Sequence, residues 1–509
     1  MTLATSDHDA IIVGAGPAGC AAARLLAAWG HRTLLIERPE ADFRTMAESI
    51  PPSAQKVLAA LGVLTAIEDS GFLPWLGNIV WWGQDEARTE SFAPGQSGYL
   101  VARRAFDRRL RGLAAEAGTD IREGLVRDVH IAHEPPSDPG AWRSEVEIDL
   151  DGERATAAAA FVLDCSGRAG VVARKGLREP TPAPRTVALV GTWKARDWPG
   201  ASDTHTLVAS YVDGWAWSVP TEPGVRHFTV MIEPGRTDLA AGSAEQRYRA
   251  ELAKIPAFRT LLEPAQLVDG VWGADASLYT AREHAGPGFL LVGDAGTFID
   301  PLSSFGVKKA LVSGWLAAIT VHTALTNGRM RDEALRFFDR RERQMAGASM
   351  PETTRFAADA AAGTPHPFWI ARAAMAHDGL GLNEELDPLE LARDPAVLAS
   401  FEDLRQRESV RLRVGESVRI ENCAMVRGHE IVMDEHLVVP ACPGGVRYLR
   451  NVDLVALTRL APHHTDAGEM FEAFGRGQPD VALPDFLGAL SVLIAWGVLQ
   501  VPETTSVLW

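Results

Sequence analysis

The sequence predicts an α/β fold: a Rossmann-like domain followed by a small C-terminal α+β module. Three observations carry this prediction. Residues 9–37, "DAIIVGAGPAGCAAARLLAAWGHRTLLIE", run from an apolar strand through a glycine-rich turn into an Ala- and Leu-rich helix and a second apolar strand. Residues 410–450 switch to alternating apolar and polar positions, the period of half-buried antiparallel strands. At 509 residues the chain is longer than one ordinary domain, so two or three are expected.

Composition narrows the class. Apolar residues at 46% and charged residues at 23% describe a soluble globular protein. The 66 acidic against 50 basic residues give a net charge of -16, which argues against nucleic acid as the main partner. Cys20, Cys165, Cys423 and Cys442 lie far apart with no CxxC pair, so neither a metal site nor a disulfide framework is expected. The opening "MTLATSDHDA" has no basic region followed by an apolar core, and apolar runs such as 311–321 are too short for a bilayer. A cytoplasmic location is expected.

The N-terminal elements follow in order. Residues 10–13 suit a buried parallel strand, and the helix after the glycines runs to about Trp29. Gly14, Gly16 and Gly19 supply GxGxxG, with Ala18 inside the turn. Gly14 allows the tight turn, Gly16 lets a pyrophosphate approach the backbone, and Gly19 lets helix and strand pack closely. The helix N-terminus favours phosphate charge. The second strand ends at Glu37, 18 residues after Gly19, where a carboxylate can accept from ribose hydroxyls. The carboxylate disfavours a 2'-phosphate, so the expected ligand is FAD or NAD.

Two later segments bear on that choice. In 288–312, "GFLLVGDAGTFIDPLSSFGVKKALV", an apolar strand runs into Gly293 and Asp294, and Gly306 and Val307 open another helix. Asp294 can bind a polyol hydroxyl, and that helix can aim free N–H groups at a carbonyl bearing negative charge. In 99–110, "YLVARRAFDRRL", Arg103 precedes Phe106 and Asp107 at a strand-to-helix entry. Together the three segments resemble the fold of the single-domain flavin monooxygenases and flavin-dependent halogenases, over about residues 8–375. The resemblance implies a Rossmann-like FAD-binding domain with an inserted antiparallel substrate-side sheet. It implies FAD as cofactor, Arg103 near it and Asp294 on its ribityl chain, with reduction by NAD(P)H directly or through a separate flavin reductase. The stretch from Asp164 to Gly167, "DCSG", resembles the DxSG strand end of the halogenase branch. Asp164 has the alternative of being only an exposed strand-end acid.

Further motifs address the branch. "DGWAWSVP", residues 213–220, places Trp215 and Trp217 on one face of a strand and resembles the WxWxIP signature of the halogenases. "AESIPP", residues 47–52, resembles their GESxxP loop and places Glu48 beside the flavin. The halogenases carry a lysine after that loop, which conveys hypohalous acid to the substrate. Here Trp75 stands at the comparable position, and no lysine occurs between Lys56 and Lys175. Lys56 itself reads as a solvated helix position. Phe305 occupies the small-residue position before the glycine of "DPLSSFG", and Ser303 stands where tryptophan halogenases carry a carboxylate. These departures favour direct oxygen transfer from a flavin C4a-hydroperoxide to an aromatic ring. Trp75, Trp81, Trp82, Trp215 and Trp217 are the expected apolar wall, each with plain core packing as its alternative. No acid–base residue stands out beyond Glu48.

A helical connector is expected over 381–409, dividing a flavin domain, 1–380, from a module at 410–509. Residues 410–450 suggest two or three antiparallel strands, and helices are expected at about 452–475 and 484–497. The module looks winged-helix-like and loosely resembles PqqD-like elements that grip precursor peptides. Its alternative is a lid or dimerisation appendage. "FIDPLSSFGVKKAL", the "FW" near 368 and the appended module also resemble halogenase-like flavoproteins that hydroxylate a protein-borne tryptophan in tryptophylquinone biogenesis. Three readings stand: a monooxygenase of an aromatic ring, a tryptophan side chain in a peptide above all; a halogenase of tryptophan or a phenol, with Lys308 or Lys309 as relocated amine; and a non-catalytic precursor-binding flavoprotein.

Overall fold

The computed structural model describes residues 8–39, 46–132, 143–198, 201–375, 391–407 and 409–501. The start of the expected connector lies outside them. The chain divides into two compact units, Met1–Gly381 and Leu382–Trp509.

The first unit is built on five parallel strands in the order Asp120–Glu123, Thr33–Glu37, His8–Val13, Glu153–Asp164 and Phe289–Leu291. Ile11, Ile12, Leu35, Val162, Leu163 and Leu291 are fully buried, as continuous apolar strands covered on both faces must be. The register pairs Val13 with Asp164 and Asp164 with Leu291. Three segments more than 120 residues apart in sequence therefore end side by side: the glycine turn, "DCSG" and "GDAG".

Asp164 stands at a strand end, as the DxSG reading has it, and the exposed-acid alternative fails. It is fully buried, and its carboxylate accepts from the Ser166 hydroxyl at 2.6 Å and from the amides of Val172 and Ala173 at 2.7 and 3.1 Å. It pins the strand end and is not an exposed acid.

The inserted sheet orders Val187–Lys194, Val225–Ile232, Gly214–Glu222 and His205–Tyr211 antiparallel, with Gly77–Trp81 parallel alongside the last. Side chains alternate between its two faces. Leu207, Ala209, Ala216, Phe228 and Val230 pack against Tyr248, Leu252 and Phe258 of the helices Ala244–Ala253 and Pro256–Leu262. The opposite set, including Ala188, Val208, Trp215 and Met231, faces the parallel-sheet side. A small sheet joins Ala47–Ile50 and Leu73–Trp75 to the two edges of Gly98–Ala102.

In the second unit, Arg419–Arg427, Glu430–Val439 and Cys442–Val446 form a three-stranded antiparallel sheet. The segment expected as one helix over 452–475 is two, Leu454–Leu460 and Ala467–Gly475. Pro462 interrupts the first, and Asp466 caps the second through the Glu469 amide. The helix Pro395–Gln406 buries Val397 and Leu404 with Leu454, Phe486 and Leu490, so it shares this unit's core. No helix among the described residues is long and apolar enough to cross a membrane.

In the first unit, the helices Pro17–Ala28 and Gly306–Thr326 meet at Gly314, where a Cβ would stand 2.3 Å from the Ala18 carbonyl oxygen. Gly314→Ala should therefore lower stability by about 1–3 kcal/mol, measured by urea denaturation of the flavin-free protein. An unchanged midpoint would contradict this close approach.

Candidate functional site

A cavity of about 340 Å³ opens where the parallel strands end and runs to the inner face of the inserted sheet. The glycine turn forms one end. Gly14 has φ +103°, and a Cβ there would stand 2.5 Å from the Cys165 carbonyl oxygen. A Cβ on Gly19 would overlap the Gly14 carbonyl at 1.9 Å. Gly16 has nothing within 4 Å of its would-be Cβ and borders the cavity with Pro17 and Ala18. The helix Pro17–Ala28 carries no side-chain cap and no acid in its first turn, so its end suits a pyrophosphate. Glu37 accepts the Ala15 N–H; burial raises its carboxyl, with that bond opposing the rise. These residues fit a dinucleotide.

The small sheet sets the middle of the cavity. Ala47 pairs with Ala102, which brings Glu48 and Arg103 together on the cavity lining. Arg103 holds Asp107 through two nitrogens at 3.0 and 3.2 Å, and its Nη1 lies 3.5 Å from Glu48 Oε1. Burial works against the Arg103 charge, but Asp107 and Glu48 more than offset it. Burial also pushes the Glu48 carboxyl up, opposed by Arg103 and reinforced by Asp294. Opposite lie Asp294, Gly306 and Val307. The helix Gly306–Thr326 starts without a side-chain cap or a first-turn acid, leaving N–H groups free for a developing negative charge. Ser304, just before it, is held at φ +51°, an uncommon conformation for a residue with a Cβ.

The far wall is apolar. Trp215 and Trp217 stack with ring centroids 4.9 Å apart and planes 26° from parallel. Val190, Val208, Met231, Phe298 and Leu302 join them on the lining.

Other expected wall residues lie elsewhere. Trp75 is buried but does not line the cavity; its N–H donates to the Gly77 carbonyl at 2.7 Å and its ring packs edge-on against Phe92. It sits in the cluster behind Trp217, because the hydrophobic contacts of the small sheet claim it. Trp82 backs Trp215 at 6.4 Å, and Trp81 turns to the opposite face against Phe258. Phe305 is 37% exposed and off the lining, with the Lys308 amine 5.0 Å from its ring centre. Neither Lys308 nor Lys309 lines the cavity.

The sequence reading missed Arg168, Phe298 and Asp300, all on the lining. Arg168 lies 4.2 Å from the Phe298 ring centre and donates to the Ser277 carbonyl at 3.2 Å. Each of the three closely follows a strand end already singled out, at "DCSG" or "GDAG", and that proximity was the available signal. Among the described residues no cluster of three or more His, Cys, Asp or Glu could hold a metal.

Glu37→Ala should raise the FAD dissociation constant about tenfold, the worth of a hydrogen bond to a charged group, read by flavin fluorescence titration. Wild-type affinity in this variant would remove Glu37 from the cofactor site.

Comparison with known proteins agrees with the geometry. Residues 7–348 match the family model described as FAD binding domain. A tryptophan 2-halogenase of Chondromyces crocatus is 32% identical over 344 residues, 66% of this chain and 65% of that protein, just under two thirds of its length. The crystal structure of CmlS, a flavin-dependent halogenase, superposes with TM-score 0.73 at 24% identity, over 97% of this chain and 96% of that one. The peptidyl tryptophan dihydroxylase QhpG, essential for tryptophylquinone cofactor biogenesis, gives TM-score 0.68 at 23% identity, over 97% and 100%. At those identities the two structures speak to fold. With a strand-end cradle shaped for a dinucleotide and a match across two thirds of its length, the chain belongs to the halogenase-like FAD monooxygenase family, and its cofactor is FAD.

Proposed function

We propose that this protein is an FAD-dependent monooxygenase that hydroxylates an aromatic ring, namely a tryptophan side chain within a peptide or protein. The observation that carries this reading is a cavity walled by stacked Trp215 and Trp217, with no lysine among the described residues that line it. Bound and reduced FAD would supply the two electrons that activate O2, and O2 provides the oxygen atom that is transferred.

The chain's own residues supply the rest. The Gly16 backbone and Ala18 cradle the pyrophosphate, Glu37 takes the ribose hydroxyls, and Arg103 and Asp294 hold the remainder of the cofactor. The free N–H groups at Gly306 and Val307 stabilise negative charge at the head of their helix. Trp215, Trp217 and Met231 exclude water and present an apolar face on which an indole stacks. Glu48, on the lining with its carboxyl raised by burial, is the group assigned to proton movement. Trp75 and Phe305 act only by supporting the wall and the helix start.

The description of QhpG as a peptidyl tryptophan dihydroxylase agrees with this reading and suggests a peptide-borne substrate. In it the unit from Leu382 onward serves the partner or precursor, reduction comes from NAD(P)H directly or through a separate flavin reductase, and the protein works in the cytoplasm. A second reading, halogenation of tryptophan or a phenol, is favoured by the naming of the Chondromyces relative.

Incubation of the reduced holoprotein with labelled O2 and tryptophan-containing peptides, with and without chloride or bromide, separates the readings. The expected product carries labelled oxygen at equal yield with or without halide. A halogen-bearing product would overturn hydroxylation in favour of the second reading. Binding of peptide without any product would leave a precursor-binding flavoprotein. Trp217→Ala should raise KM for the aromatic substrate up to about tenfold, the scale of a lost stacking contact, with FAD affinity unchanged. Steady-state kinetics with flavin titration checks both.

A further inference from the structure

Among the described residues, four carboxylates line the cavity: Glu48, Asp275, Asp294 and Asp300. Three of them are matched to a cation. Glu48 lies 3.5 Å from Arg103, Asp294 2.9 Å from Lys309 and Asp275 3.4 Å from Arg168. Asp300 makes no ion pair among the described residues. Arg372, whose charge is felt at Asp300, is committed elsewhere. Its guanidinium donates to Glu233 at 2.6 Å and to Thr186 at 2.9 Å, and lies over the Phe368 ring.

The Asp300 side chain is fixed at one oxygen and open at the other. Oδ1 accepts the Leu302 N–H at 3.0 Å, and the Ser303 hydroxyl braces the same turn by donating to the Asp300 carbonyl at 3.0 Å. Oδ2 accepts no hydrogen bond among the described residues. A carboxylate oxygen left unpaired in apolar surroundings is costly. Burial pushes the Asp300 carboxyl up, with the Leu302 N–H and Arg372 opposing the rise. A donor arriving from the cavity relieves that cost.

The surroundings narrow the donor. Phe298 and Leu302, two residues to either side of Asp300, pack with Trp215, Trp217 and Met231 of the apolar far wall. A guest at this wall must offer an aromatic face to the indoles and a hydrogen-bond donor at one edge. Indole does both, since its N–H only donates and an ionised carboxylate only accepts. We propose that Asp300 determines specificity at this site by accepting the substrate's indole N–H at Oδ2, which fixes the ring against Trp215 and Trp217. This rests on the reading of a tryptophan substrate and is independent of whether oxygen or halogen is transferred.

The test is binding, without turnover, of two short peptides to the full-length protein loaded with oxidised FAD, measured by isothermal titration calorimetry. One peptide carries tryptophan. The other carries benzothienylalanine in its place, where sulfur replaces the N–H with little change of shape. Wild type should bind the tryptophan peptide about tenfold more tightly, the scale of a hydrogen bond to a charged group. Asp300→Asn should abolish that preference. Its single amide oxygen is needed by the Leu302 N–H, so the NH2 turns toward the substrate and donor meets donor. FAD affinity should stay at the wild-type value.

Equal binding of the two peptides by wild type would overturn the proposal, and so would a preference that survives in Asp300→Asn. A variant that loses FAD affinity but keeps the preference would also overturn it, placing Oδ2 at the flavin instead. The wild-type comparison needs no variant and decides the matter should Asp300→Asn fail to fold. Binding of neither peptide would overturn the tryptophan reading itself, and this proposal with it.

Discussion

The register of three parallel strands is the constraint on which the first unit depends. Val13, Asp164 and Leu291 stand side by side, so the turns that follow them converge on one point. Asp164 spends its carboxylate on holding that point, accepting from backbone amides and a serine hydroxyl with no contact to solvent. A one-residue slip of any strand would carry its apolar side chains to the other face and its turn away from the others. The glycine turn, the end of "DCSG" and the turn at Asp294 act as one site because the ladder forbids that slip.

The second constraint is alternation in the inserted sheet. Its strands pack helices on one face and enclose the cavity with the other. Within Gly214–Glu222, Ala216 joins the helix-side core while its neighbours Trp215 and Trp217 stack toward the cavity. The same rule sends Trp81 against Phe258 and leaves Trp82 behind Trp215. Among the described residues, a sequence with 14 tryptophans thus yields a wall two indoles wide, with Trp82 packed behind Trp215.

Charge is arranged in depth. Arg103 is bracketed by Asp107 and Glu48, and Asp294 by Lys309, so these two lining groups are each restrained by a partner of opposite sign. Such restraint lowers the entropy left to lose on binding. It also explains a cavity rich in ionisable groups that nevertheless presents an apolar far wall.

The cofactor end was legible in the sequence because its physics is local. Glycines at fixed spacing, a helix start and an acid at a strand end all fall within thirty residues, and backbone conformation alone makes them a cradle. The two-residue spacing of Trp215 and Trp217 likewise ensured a shared face wherever the strand lay. What tertiary structure decided was which residues meet that cradle. Trp75 and Phe305 carry the same local signals as true wall residues, yet neighbouring side chains and a solvent-facing helix start take them off the lining. Arg168, Asp300 and the Lys309 that pairs with Asp294 become visible only once distant strands and helices are packed, because burial and partnership are properties of neighbours in space.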